Sequence, residues 1–138
     1  MDTVIRRFQP GDEDALIEVW RACGLLRTWN DPREEIAGNQ QSPSGRLFVA
    51  TAGDELVGSV MAGYDGRRGW INYLAVLPGH RRHGLGTALM ATAEGCLKEL
   101  GCPKVNLQVR ESNPEVVGFY VALGYLNDHV ISMGKRLR

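Results

Sequence analysis

The stretch LAVLPGHRRHGLGTALM, Leu74–Met90, runs from an apolar segment through a basic turn into a second apolar periodicity. Its middle, His80–Gly86, sets Arg81, Arg82 and His83 beside Gly84 and Gly86. Small residues let the backbone approach a ligand closely, and the first amides of a helix have no partner within it. Such amides, at the positive end of the helix dipole, bind anions. Basic side chains ahead of them screen the charge of a diphosphate. Taken alone, the turn also reads as a solvated loop; its place between an apolar strand and an amphipathic helix favours the anion cradle. Two familiar cradles fail on residue type. A nucleotide phosphate loop needs Gly-Lys-Ser/Thr, and here Thr87 follows Gly86 directly; a dinucleotide turn needs glycine where Leu89 stands.

Outward from the turn, GWINYLAV (Gly69–Val76) reads as a strand entering it. On the other side Leu85, Leu89, Ala93, Leu97 and Leu100 form one helical stripe that ends at Gly101 and Pro103. Upstream, RLFVATA and ELVGSVMAGY read as two strands around a two-residue turn at Gly53–Asp54. Both are apolar on both faces, which predicts mid-sheet strands covered by helices, with Phe48–Ala50, Val57–Ala62 and Tyr73–Val76 at the centre. TVIRRF (Thr3–Phe8) alternates as a half-buried strand does. A helix follows from Asp12 to Gly24, and a second opens at DPRE, where Asp31 can cap and Pro32 suits the first position. Downstream, KVNLQV is a strand, PEVVGFYVAL a short helix and HVISMGKRL a last strand.

The chain's totals set the class. At 138 residues it is long enough for one domain with a real core. Sixteen Lys plus Arg balance sixteen Asp plus Glu, so no global field favours nucleic acid or an anionic membrane. No apolar run approaches the roughly 18 residues of a membrane span, and MDTVIRRFQPGDED lacks the apolar centre of a secretion signal. Cys23, Cys96 and Cys102 are odd in number with no C-x-x-C pair, which predicts reduced thiols and no zinc site. His80 and His83 lack an evident third ligand, so no metal is expected. These readings predict a cytoplasmic protein with neither a nucleic-acid nor a membrane partner.

The segment Leu74–Met90 resembles the acetyl-coenzyme A signature of the GNAT N-acetyltransferase superfamily, whose core is Arg/Gln-x-x-Gly-x-Gly/Ala, here Arg81-x-x-Gly84-x-Gly86. NPEVVGFYVALGY (Asn113–Tyr125) resembles the second family motif, an Asn followed by a helix with a Tyr and then Gly-Phe/Tyr. The order of elements matches over nearly the whole chain, and LLRTWNDP (Leu25–Pro32) resembles a small bacterial branch of uncharacterised acetyltransferases. The resemblance implies an α+β fold: a mostly antiparallel mixed sheet, helices on both faces and splayed central strands, in one domain over residues 1–138. It implies an N-acetyltransferase, monomer or homodimer, whose partners are acetyl-CoA and an amine acceptor. A non-catalytic acyl-CoA-binding sensor or partner module is the alternative.

The same resemblance implies site residues. Tyr73–Val76 would splay from Val105–Val109 to admit pantetheine, which pairs with the backbone of Leu74, Ala75 and Val76. The diphosphate would sit at Arg81, Arg82, His83, Gly84, Leu85, Gly86 and Thr87. Asn113 would hold the pantetheine arm and Tyr120 would face the thioester sulfur. Each has a bland rival: Asn113 before Pro114 can be a helix cap, and Tyr120 shares a core-like stripe with Val116, Phe119 and Leu123. Amine acetylation needs a base, since a lysine-like ammonium has a pKa near ~10.4. In the branch that acetylates ribosomal-protein N-termini, a Glu precedes Ser-Asn where this chain has Gln108. That leaves Glu111, Asp65 and Tyr73 as candidate bases.

Overall fold

The alternation in TVIRR becomes the edge strand β1 (Thr3–Arg7), and the two apolar runs become β2 (Arg46–Ala52) and β3 (Glu55–Tyr64). They join through a two-residue turn in which Ala52 faces Glu55 and Gly53 takes φ +61°, a backbone conformation that suits glycine. A computed structural model describes residues 2–138, in two compact units, residues 2–107 and 108–138.

In the first unit the sheet is ordered β1-β2-β3-β4-β5. Neighbours from β1 to β4 (Gly69–Val76) pair antiparallel, and β4 with β5 (Val105–Leu107) pairs parallel. α1 (Glu13–Ala22) and α2 (Pro32–Gln41) cover one face. There Leu16, Trp20 and Ile36 pack with Leu47, Val49 and Met61. Asp31 accepts from the Arg33 amide at the start of α2, as its place before Pro32 predicts. α3 (Leu85–Glu99) covers the other face, burying Leu85, Leu89, Met90, Ala93 and Leu97. Gly58 of β3 admits this helix closely. A Cβ built there would lie 2.8 Å from the Ala75 carbonyl oxygen and 3.3 Å from a Leu89 methyl. The mixed, mostly antiparallel sheet with helices on both faces is the α+β architecture expected.

The second unit contains α4 (Val116–Ala122), closed by Gly124 at φ +97°. Here the structure corrects the sequence reading. His129–Leu137 forms no strand; Ile131 is 88% exposed and Met133 91%. Strand hydrogen bonds come from a neighbour, and no other strand lies within this unit to supply them. The strand expected from Lys104 to Val109 is likewise only the three residues of β5.

Candidate functional site

β4 is shaped by a bulge. Its register against β3 slips between Ser59 and Met61, and Tyr73 within the slip has φ +51°. β5 pairs β4 only at Gly69, Trp70 and Ile71. Beyond the bulge, Leu77 donates to the Val57 carbonyl of β3 at 2.9 Å, so by alternation Val76 and Leu74 turn their backbone groups to the opposite edge. Within the first unit, β5 supplies no partner to that edge. Its carbonyl end is partly occupied from inside: the Val76 oxygen accepts from Arg81 Nε at 2.8 Å and from the Cys23 thiol at 3.4 Å. The Val76 N–H and the backbone groups of Leu74 face that same edge.

The turn follows at once. Pro78–His80 is a single 3-10 turn in which the His80 amide donates to the Leu77 carbonyl at 2.8 Å. Arg82 (φ +65°) and Gly84 (φ +81°) both occupy the left-handed region, and the chain enters α3 at Leu85. Gly84 has no side chain to cap the helix, and the amides of Leu85, Gly86 and Thr87 in its first turn have no partner within the helix. Arg81, Arg82, His83 and Thr87 are exposed around them. The arrangement offers a short apolar edge leading into a cradle of backbone donors ringed by cations, which suits a ligand with amides along its length and a diphosphate at one end. The structure thus brings Leu74–Val76 and Arg81–Thr87 together in one continuous segment.

The second motif belongs to the second unit. Glu115, not Asn113, occupies the residue before α4, with no side-chain cap, so the cap reading of Asn113 does not hold. The Asn113 amide donates to the Arg110 carbonyl at 2.9 Å and its side chain is exposed. Tyr120 is half-buried between Phe119 and Tyr125, with ring centroids at 5.1 Å and 5.8 Å, both edge-on. Burial raises its pKa above the ordinary tyrosine value, so the phenol keeps its proton. Its stripe partners Val116, Phe119 and Leu123 are also only half-buried, which makes this a thin core.

The candidate bases separate clearly. Asp65 accepts from the amides of Arg67 and Arg68, both at 2.7 Å, and from Trp70 Nε1 at 3.1 Å. Those bonds, the Arg68 amide first, hold its carboxyl down to about 2, a weak acceptor tied into a turn. Glu111 is exposed in a turn of the second unit. The Tyr73 phenol donates to both oxygens of Glu35 on α2, at 2.8 and 2.7 Å. In sequence, Glu35 belongs with Asp12–Asp14, Asp31 and Glu34 to the acid near the first two helices, which hints at a cationic acceptor and is equally explained by solvated helix caps. Its partner lies 38 residues away, and no spacing rule links them.

Residues 13–125 match the family model of the acetyltransferase (GNAT) family. An acetyltransferase of Pectobacterium atrosepticum is 44% identical over 133 residues, covering 96% of this chain and 94% of its own. Among solved structures, a transcriptional regulator from Bacillus halodurans is similar at a TM-score of 0.83 and 22% identity, with 97% of this chain and 100% of that one covered. AAC(6')-Iy, in complex with a bisubstrate analogue CoA-S-monomethyl-acetylneamine, is similar at 0.81 and 19% identity, with 99% of each chain covered. These two likenesses establish the fold.

Proposed function

The chain belongs to the GNAT acetyltransferase family, and from that membership we propose that it moves the acetyl group of acetyl-CoA to a primary amine by direct attack on the thioester. The observation that carries this reading is the Arg81–Thr87 turn, with Arg82 and Gly84 at positive φ, opening α3 directly after the bulged end of β4.

In this reading the diphosphate rests on the amides of Arg82 to Thr87, and the pantetheine arm lies along the Leu74–Val76 edge as an added strand would. Arg81 bonds the Val76 carbonyl, so it shapes the turn as well as lending charge. The Val76 N–H polarises the thioester carbonyl, stabilising the oxygen as it gains charge. Asn113 holds the arm, and Tyr120 donates its proton to the departing thiolate. The buried phenol, pKa raised, remains a donor across the neutral range. The family model crosses the boundary between the two units, which supports one acetyltransferase domain over residues 1–138. No helix of the described residues is long and apolar enough to cross a membrane. The reading takes the enzyme as cytoplasmic, monomer or homodimer, with no metal and no nucleic-acid partner.

The acceptor is an amine, and the aminoglycoside-derived part of the bisubstrate analogue in the AAC(6')-Iy structure makes aminoglycosides one class to test. The experiment is calorimetry with acetyl-CoA, followed by thiol release from acetyl-CoA with amines, aminoglycosides, polyamines and peptides. Micromolar binding with turnover of one class supports an enzyme. Binding without turnover of any of them points to the sensor reading, which Gln108 favours by standing where a related branch has Glu.

A further inference from the structure

Tyr73 is the strained residue of β4. Left-handed backbone is unfavourable for a tyrosine by about 1 kcal/mol or more, so its surroundings must hold it there. They do so from three sides. The fully buried Trp20 stacks on its ring at 3.7 Å between centroids and 12° between planes. Ser59, also buried, accepts from Trp20 Nε1 at 2.9 Å and donates to the Tyr73 carbonyl at 2.8 Å. The phenol then reaches Glu35. A chain of contacts from the core therefore fixes one carboxylate beside the bulge from which the Leu74–Val76 edge departs. α1 reaches the same strand end, where the Cys23 thiol meets the Val76 carbonyl.

Glu35 is half-buried, and no Lys, Arg or His among the described residues forms an ion pair with it. The cation two residues before it, Arg33, is committed to Glu13 and Asp14 on α1. A rigidly held carboxylate with a phenol for company and no cation is suited to receive a cationic group from outside.

Resting on the acetyl-transfer reading above, we propose that Glu35 is the general base, with Tyr73 as its positioning residue. The acceptor ammonium gives one proton to the Glu35 carboxylate and becomes a neutral amine. Its nitrogen forms the C–N bond at the thioester carbon; the C–S bond breaks and the electron pair leaves on sulfur. The thiolate takes up a proton, and the nitrogen of the new amide gives one up. Glu35 releases its proton to solvent, so one proton is produced per turnover.

The test compares wild type with Glu35→Gln, Glu35→Asp, Tyr73→Phe and Glu111→Gln, using acetyl-CoA with neamine, spermidine and a lysine peptide as acceptors. Glu35→Gln should lower kcat about a hundredfold at neutral pH with acetyl-CoA affinity unchanged by calorimetry. The loss should shrink as pH rises toward ~10, where the amine loses its proton unaided. Glu35→Asp should keep part of the rate, and Tyr73→Phe should lower kcat about tenfold with little change in acetyl-CoA affinity. Full kcat in Glu35→Gln, an equal loss at every pH, or a loss confined to Glu111→Gln would overturn the assignment. A wild type that binds no acetyl-CoA removes the acetyl-transfer reading itself, an outcome distinct from any of these.

Discussion

Residues Leu74–Thr87 and residues Asn113–Tyr125 carry the two family motifs, yet they are built differently. The first is a backbone site: a bulge, two residues at positive φ and the uncapped start of a fifteen-residue helix. α3 behind it is anchored by Leu89, fully buried against the sheet. The second is a side-chain site. α4 is seven residues long with no buried residue, and its chemistry rests on one half-buried phenol. A backbone site announces itself in sequence through glycine, because few other residues permit the geometry. A side-chain site announces only a residue type that has other uses.

The division between the two units can be broken most forcefully by truncation. Leu89→Ala should cost about 3 kcal/mol of stability, the usual penalty for a buried leucine. Leu126→Ala, at a residue 81% exposed, should cost under about 0.5 kcal/mol. Denaturant melts of both variants check this, and similar losses would mean that the second unit's tail is packed in solution.

A sharper probe separates the phenol from its ring. Tyr120→Phe keeps the packing against Phe119 and Tyr125 and removes only the hydroxyl. Turnover should fall roughly a hundredfold while melting temperature and acetyl-CoA affinity barely move. Because burial raises the phenol's pKa, loss of the proton donor should set in only above the ordinary tyrosine range near ~10. Parallel loss of stability and rate would return Tyr120 to a packing role.

The smallest effect concerns charge at the start of α1. Arg6 donates twice to Asp12, at 2.8 and 2.9 Å, and the Gln9 amide donates to the same carboxylate at 2.8 Å. The Arg6 bonds lead in holding the Asp12 pKa below its ordinary value. A depressed carboxyl contributes stability above its unfolded pKa of ~3.9, and that contribution is lost as pH falls through the folded value. Asp12→Asn should therefore cost about 1 kcal/mol at neutral pH, with the gap to wild type closing below ~3.9. A gap that stays constant down to acid pH would contradict the assignment.

Periodicity located nearly every element of the fold. The Gly53–Asp54 turn and the start of α2 were legible because each depends on neighbours in sequence. What escaped depends on distant partners. His129–Leu137 reads as a last strand in sequence, but a strand-like run does not supply a strand to pair with. The bulge at Tyr73 has no signature, since tyrosine does not advertise positive φ. Glu35 was visible only as one of several acids near the first two helices; its contact with Tyr73 exists only in the folded chain.

The central claim is that acetyl-CoA is held by the backbone at Arg81–Thr87. Titration calorimetry of acetyl-CoA into Gly86→Val, checked for folding by its melting curve, tests it most directly. A valine at the mouth of the cradle should weaken binding tenfold or more, roughly 1.4 kcal/mol. Unchanged affinity in a folded Gly86→Val protein would place the cofactor elsewhere and contradict the account.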